Sequence, residues 1–151
     1  MKLRSSLFAL PLIAVAVAAA WRGTTPPAGP ALHVIKTPTC SCCQAWADYM
    51  KAQGFTVTTE NRADLAPVKR AHGVTPELES CHTAIVEGLV VEGHVPADLV
   101  KQLLRDKPKG VKGISAPGMP RGSPGMEGPI KDRYTLYTFD AQGKATAYAE
   151  R

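Results

Sequence analysis

The sequence predicts an α/β domain, a mixed central sheet flanked by helices with a β-hairpin at its C-terminal end. Three observations carry that class. Short β-branched runs alternate with segments of helical apolar spacing. Glycine or proline punctuates the segment ends. Three of the four cysteines, in Cys40-Ser41-Cys42-Cys43, fall between the first strand-like run and the first helix-like run, where a strand–turn–helix junction belongs.

The chain has 151 residues, the length of one compact domain once a leader is set aside. Lys2 and Arg4 precede an apolar run from Leu7 to Ala20 that ends in three alanines. A short basic region, an apolar core and small residues at the end read as a secretory signal peptide over 1–20. The run is shorter than the roughly 20 apolar residues of a membrane span, and an uncleaved N-terminal anchor is the alternative. No later segment is apolar for long enough to cross a bilayer, so no stable span is expected after signal removal. Residues 21–30 form a Pro/Gly/Thr linker and 31–151 the folded domain. Cleavage would remove Lys2 and Arg4, two of the five net positive charges. With no basic run and no interleaved aromatics, nucleic acid is not expected as a partner. An exported chain meets an oxidising compartment, where cysteines pair readily.

The elements follow in order. Leu32 to Lys36 is a short apolar strand, and His33 within it reads as a histidine satisfied on a strand. Cys43 to Gln53 is a helix closed by Gly54, with Ala45, Trp46, Tyr49 and Met50 as its buried face. Met50 is then core filler rather than a ligand. Phe55 to Glu60 alternates apolar and polar residues and is the second strand, completing a parallel βαβ unit. Asp64 caps a short helix over Leu65 to His72, stopped by Gly73, with His72 complementing the helix dipole. A loop leads to Cys81-His82. Thr83–Glu87 and Leu89–Glu92 flank Gly88 as a β-hairpin. A further helix starts around His94-Val95-Pro96-Ala97-Asp98 and runs to about Lys107, with Leu99, Val100, Leu103 and Leu104 on its apolar face. Glu92 and Asp98 read as solvated helix-end charges. Residues 113–129 carry no helix or strand signal. They hold a weak echo, Pro117-Gly118-Met119 and Pro124-Gly125-Met126. Tyr134–Phe139 and Ala145–Ala149 form the terminal hairpin. The order β-α-β-α-β-β-α with a C-x-x-C at the first strand–helix junction is that of a thioredoxin-like domain.

Cysteines at a helix N-terminus are biased towards thiolate by the dipole and the free N–H groups. Cys40 and Cys43 form the C-x-x-C; Cys42 adds a sulfur that a dithiol redox pair does not need. Three soft donors on one turn suit a thiophilic ion such as Cu(I). Thioredoxin-like folds place a cis-proline just before the third strand, facing the C-x-x-C, and here Cys81-His82 holds that position. Two ligand-rich segments are therefore expected to meet, around one metal ion or several copper ions bridged by sulfur. Zinc with a Cys₃His set is the less suitable metal, since adjacent Cys42-Cys43 makes a poor knuckle. A disulfide, Cys40 to Cys43 or either to Cys81, is the competing reading, and it leaves Cys42 and His82 unexplained. The thioethers of Met119 and Met126 either reach over the cysteines as further soft ligands or stand as surface residues. His94 either caps its helix or joins the ligands. Nothing resembles a Ser/His/Asp triad, a phosphate loop or a paired carboxylate site.

The combination TPTCSCCQAWADYM, ESCHTAIVEG, EGHVPADLVKQLL and GISAPGMPRGSPGME resembles the small exported copper-resistance proteins of the CopG type, over residues 31–150. The resemblance implies a periplasmic location, a thioredoxin-like fold, and copper held by Cys40, Cys42 and Cys43 with Cys81 and His82. It also implies a part in copper tolerance, with Cu(I)/Cu(II) redox chemistry within reach and other envelope copper-handling proteins as partners. Met119, Met126 and His94 lie in matching stretches. The alternative from another class is a thiol–disulfide oxidoreductase of the envelope, with Cys40 attacking and Cys43 resolving.

Overall fold

A computed structural model describes residues 29–151. The leader expected over 1–20, and all but the last two residues of the linker expected over 21–30, lie outside the described residues. The order is β1 (Ala31–Lys36), α1 (Ser41–Ala52), β2 (Thr56–Asn61), α2 (Ala66–Ala71), a 3₁₀ turn (Pro76–Leu78), β3 (His82–Val86), β4 (Leu89–Gly93), α3 (Ala97–Asp106), β5 (Gly113–Ala116), β6 (Thr135–Phe139) and β7 (Ala145–Glu150). The strands form one mixed sheet in the order β2-β1-β3-β4-β5-β6-β7. β1 is parallel to β2 and β4 to β5, while every other neighbouring pair is antiparallel. The α/β class, the flanking helices and the terminal hairpin are as the sequence predicts.

Turn chemistry sets the local geometry. Gly54, at φ +93, follows the end of α1, and the N–H groups of Gly54 and Phe55 donate to the carbonyls of Lys51 and Met50. This is a Schellman close, which an αL glycine makes without steric cost. The β3–β4 hairpin turns through Glu87 and Gly88, both at positive φ, the geometry that matches the right-handed twist of the flanking strands. Asp64 is not the N-cap of α2 as expected: Leu65 holds that position with no side-chain cap, and Asp64 Oδ1, one residue earlier, accepts from the Ala66 N–H.

Strand side chains alternate between the two faces. Leu32, Val34, Val91 and Ile114 point to one face and pack with Trp46, Ala47 and Met50 of α1 and Val100 and Leu103 of α3. Ile35 lies against Leu65 and Val68 at α2, and Val90 packs with Val74, Leu78 and Phe139. The helix face of α1 differs from expectation in one place: Ala45 is exposed and Ala47 takes the buried position. His33 is satisfied as predicted, with Nδ1 3.1 Å from Thr58 Oγ1 and Nε2 3.0 Å from Glu60 Oε2.

Two further expectations need correction. Gly113–Ala116, which lacks a strand signal, forms β5, wholly buried between β4 and β6. Four residues with a single β-branched side chain give no readable alternation. The pairing comes from the partners, and a Cβ at Gly113 would collide with the ring of Phe139. Glu92 is not a solvated charge: it is fully buried on β4 and ion-paired to Lys69 of α2. Asp98 is exposed as expected and pairs with Arg151. No helix among the described residues is long and apolar enough to cross a membrane.

Candidate metal centre

The centre sits where β1 hands over to α1. Cys40 is the N-cap of α1, and its Sγ accepts from the Cys43 N–H at 3.3 Å. Cys42 and Cys43 follow in the first turn, so the i, i+2 and i+3 positions bring three sulfurs to one end of the helix. Cys40 and Cys43 are joined by a disulfide; Cys42 and Cys81 are free thiols. Cys42 Sγ lies 3.4 Å from Cys40 Sγ. Cys43 is buried against the Cys81 carbonyl, and the other three cysteines are half-buried.

The second segment arrives through the sheet. β3 pairs antiparallel with β1, and its first residue, His82, lies opposite Lys36, the last residue of β1. Cys81 is thereby set beside the start of α1. The sulfurs of Cys40, Cys42, Cys43 and Cys81 all lie within 4.8 Å of one another. A second group shares Cys81: its sulfur and one nitrogen each of His82 and His94 also lie within 4.8 Å of one another. His94 follows the last residue of β4 and lies two residues ahead of the α3 N-cap, Pro96, so it is not the cap. Its Nε2 is 2.9 Å from Cys81 Sγ, and its Nδ1 donates to the Pro124 carbonyl at 2.7 Å.

Both histidines are fully buried. His82 Nδ1 lies 3.4 Å from Cys81 Sγ, and its ring packs 4.5 Å from the Trp46 ring and 5.1 Å edge-on from His94. His82 Nε2 has no hydrogen-bond partner among the described residues. Burial holds the His82 pKa well below 6.5, helped by the nearby His94 and Lys69 charges. Burial also lowers His94, against the Pro124 carbonyl and Glu127, which favour the cation. The Cys81 thiol is pushed up to about 12, first by burial and then by the charge of Cys42. The metal-free site therefore holds two neutral imidazoles and a protonated Cys81. A bound cation reverses that balance for a thiol, because metal ligation displaces the proton.

The structure brings Cys40, Cys42, Cys43, Cys81 and His82 together, and His94 with them. Met119 is 56% exposed, on the rim of a shallow pocket of about 350 Å³ that Cys81 also lines. Met126 is half-buried in the same loop. Two supports had no signal as such in the sequence. One is the Pro124 carbonyl on His94. The other is Glu92, whose carboxylate accepts from the Ser80 N–H at 2.7 Å and the Thr83 hydroxyl at 2.6 Å, on either side of Cys81-His82. The repeated Pro-Gly-Met steps mark where the loop turns, and that is the nearest signal the sequence held for the first.

A family model described as "Protein of unknown function, DUF411" matches residues 78–126, the stretch that carries Cys81, His82, His94, Met119 and Met126. No curated protein matches the chain. The solved structure titled "Copper resistance protein copG- Form 2" is 39% identical, with a TM-score of 0.76, over 82% of this chain and 98% of that one. "Copper resistance protein copG- Form 1" is 39% identical, with a TM-score of 0.75, over 80% and 96%. With that identity spread over nearly the whole of both solved chains, this chain belongs to the CopG copper-resistance protein family.

Proposed function

We propose that this chain binds copper, taken up as Cu(I), through Cys42, Cys81, His82 and His94, and through Cys40 and Cys43 once their disulfide is reduced. The observation that carries the reading is the convergence of four sulfurs within 4.8 Å of one another, with Cys81 shared by a second group that holds the buried His82 and His94. His82 Nε2 is buried without a hydrogen-bond partner among the described residues, a cost of about 1–3 kcal/mol that a ligand at that nitrogen would remove. Clustered thiols suit a soft ion such as Cu(I), and the solved relatives carry copper resistance in their titles. The two groups share Cys81, so one sulfur has reach to bridge more than one ion. Met119, at the rim beside Cys81, and Met126 are further soft donors of the same loop.

The wider role is copper tolerance in the bacterial periplasm, reached through the 1–20 leader, with other envelope copper-handling proteins as donors or acceptors. Mixed sulfur and nitrogen donors also suit Cu(I)/Cu(II) cycling. The thioredoxin-like reading is supported by the β-α-β-α-β-β-α order and the strand order β2-β1-β3-β4, with β1 and β2 parallel. One observation favours a second function, thiol–disulfide exchange: the C-x-x-C is oxidised, with Cys40 at the N-cap of α1.

Reduced, metal-free protein titrated against calibrated Cu(I) and Zn(II) chelators, beside an insulin-type disulfide reduction assay, separates the two. Tighter retention of Cu(I) than of Zn(II), with little reductase activity, is expected. Loss of copper to a weak chelator, together with robust reductase activity, would promote the oxidoreductase.

A further inference from the structure

The segment between β5 and β6, residues 117–134, is the Pro/Gly loop that carries Met119 and Met126, and its backbone also contacts the centre. A carbonyl oxygen only accepts. With Nδ1 2.7 Å from the Pro124 oxygen, the His94 ring carries its proton on Nδ1 and keeps the Nε2 lone pair. That nitrogen is the one 2.9 Å from Cys81 Sγ. The ring is fully buried, so bulk water does not compete for either nitrogen.

The next residue explains how the carbonyl is held there. Gly125 has φ +80, and a Cβ on it would lie 2.7 Å from the Trp46 amide nitrogen and 2.9 Å from the Cys42 carbonyl oxygen. The loop thus rests directly on the first turns of α1, at the residue that follows Pro124. Its base is clamped: Arg121 and Asp132 form a two-pronged ion pair, and the Asp132 N–H donates to the Arg121 carbonyl.

We infer that Gly125 is a positioning residue for the metal centre: it seats the loop on α1 so that the Pro124 carbonyl holds His94 in the Nδ1–H tautomer, with the Nε2 lone pair turned to Cys81 for a soft metal ion. The inference rests on the copper-binding reading. In it a glycine with no side chain of its own sets which nitrogen of a ligand is free. Outer contacts of this kind typically cost 10–100-fold in metal affinity when lost.

Long-range ¹H–¹⁵N spectra of the metal-free full chain read the tautomer directly, and the Nδ1–H form of His94 is expected. Finding the Nε2–H form in the unaltered protein overturns the inference without any variant. Gly125→Ala should mix the two tautomers and weaken Cu(I) binding about 10-fold or more, while the thermal transition stays cooperative. Should that variant fail to fold, Asp132→Ala opens the exposed clamp and carries the same expectation. His94→Ala separates the two layers. If it weakens copper binding while a folded Gly125→Ala keeps both tautomer and affinity, positioning is wrong and the copper reading stands. If the unaltered chain holds no Cu(I), both fall.

Discussion

Replacing Glu92 with Gln should destabilise the metal-free fold by about 3 kcal/mol, and replacing Lys69 with Met in the same chain should recover most of that loss. The magnitude follows from what the carboxylate touches. Glu92 is fully buried, and the Lys69 side chain is 6% exposed. One carboxylate oxygen accepts from Lys69 Nζ and the Ser80 N–H, the other from the Thr83 hydroxyl. Burial raises the carboxyl pKa above its ordinary range, and Lys69 and these donors pull it back. A glutamine keeps the shape and one acceptor, turns an NH₂ towards groups that already donate, and leaves the Lys69 charge buried with no counter-charge. Breaking one side of a buried pair typically costs about 3–5 kcal/mol, and the amide's remaining acceptor places Gln at the lower end. Against a total stability of about 5–15 kcal/mol this is a large fraction. Replacing both charges removes the stranded ion, so the double variant should lie within about 1 kcal/mol of wild type, a coupling of about 2 kcal/mol plus whatever Lys69→Met costs alone. Urea unfolding of the oxidised, metal-free protein measures it, as a shift of midpoint at unchanged slope. A cost under about 1 kcal/mol for Glu92→Gln would refute the argument, as would a double variant that merely sums the two singles.

Three further outcomes follow from the same geometry. His82 and His94 are held neutral by burial, below the ordinary 6.5. Below that pH the unfolded chain takes up protons that the folded chain does not, so stability present above it is lost as pH falls, by up to about 1.4 kcal/mol per pH unit for each histidine. Urea midpoints measured from about pH 7 to about pH 5 should therefore drop, and a flat profile would contradict the burial argument. Cys42→Ser removes a free thiol 3.4 Å from Cys40 Sγ and spares the Cys40–Cys43 pair. Copper per protein should fall sharply while the fold survives and disulfide reductase activity stays low; copper loading equal to wild type would remove Cys42 from the ligands. Met119→Leu with Met126→Leu keeps apolar volume and should change stability by less than about 0.5 kcal/mol while Cu(I) affinity or stoichiometry drops. Unchanged copper binding by equilibrium competition would return both methionines to surface roles.

Much of the fold was legible because its signals are local. The close of α1 at Gly54 and the Glu87–Gly88 turn are dictated by residues within a few positions of each other. Strand and helix periods are local in the same way, which is why the β-α-β-α-β-β-α order could be read directly. The cysteine cluster was legible too: a C-x-C-C opening a helix has its sulfurs at one end wherever that helix goes. That Cys81-His82 would meet it needed one further step, the antiparallel pairing of β3 with β1, which an expected topology supplied.

The remainder depended on contacts between groups far apart in the chain. β5 has no pattern of its own and is a strand because β4 and β6 offer it backbone partners on both sides. Glu92 looks like a surface charge until α2 carries Lys69 across the sheet to it, 23 residues away in sequence. The sequence by itself determined the elements other than β5 and the 3₁₀ turn, their order and the two ligand-bearing segments, since these rest on periodicity and turn chemistry over a few residues. Only the tertiary structure decided that Cys40 pairs with Cys43, that His94 is a neighbour of Cys81 rather than a helix cap, and that Pro124 sets its tautomer. The reason is physical: a hydrogen bond or a sulfur contact is fixed by ångström-scale packing of whole elements, and that packing is a property of the closed core, to which all the elements contribute at once.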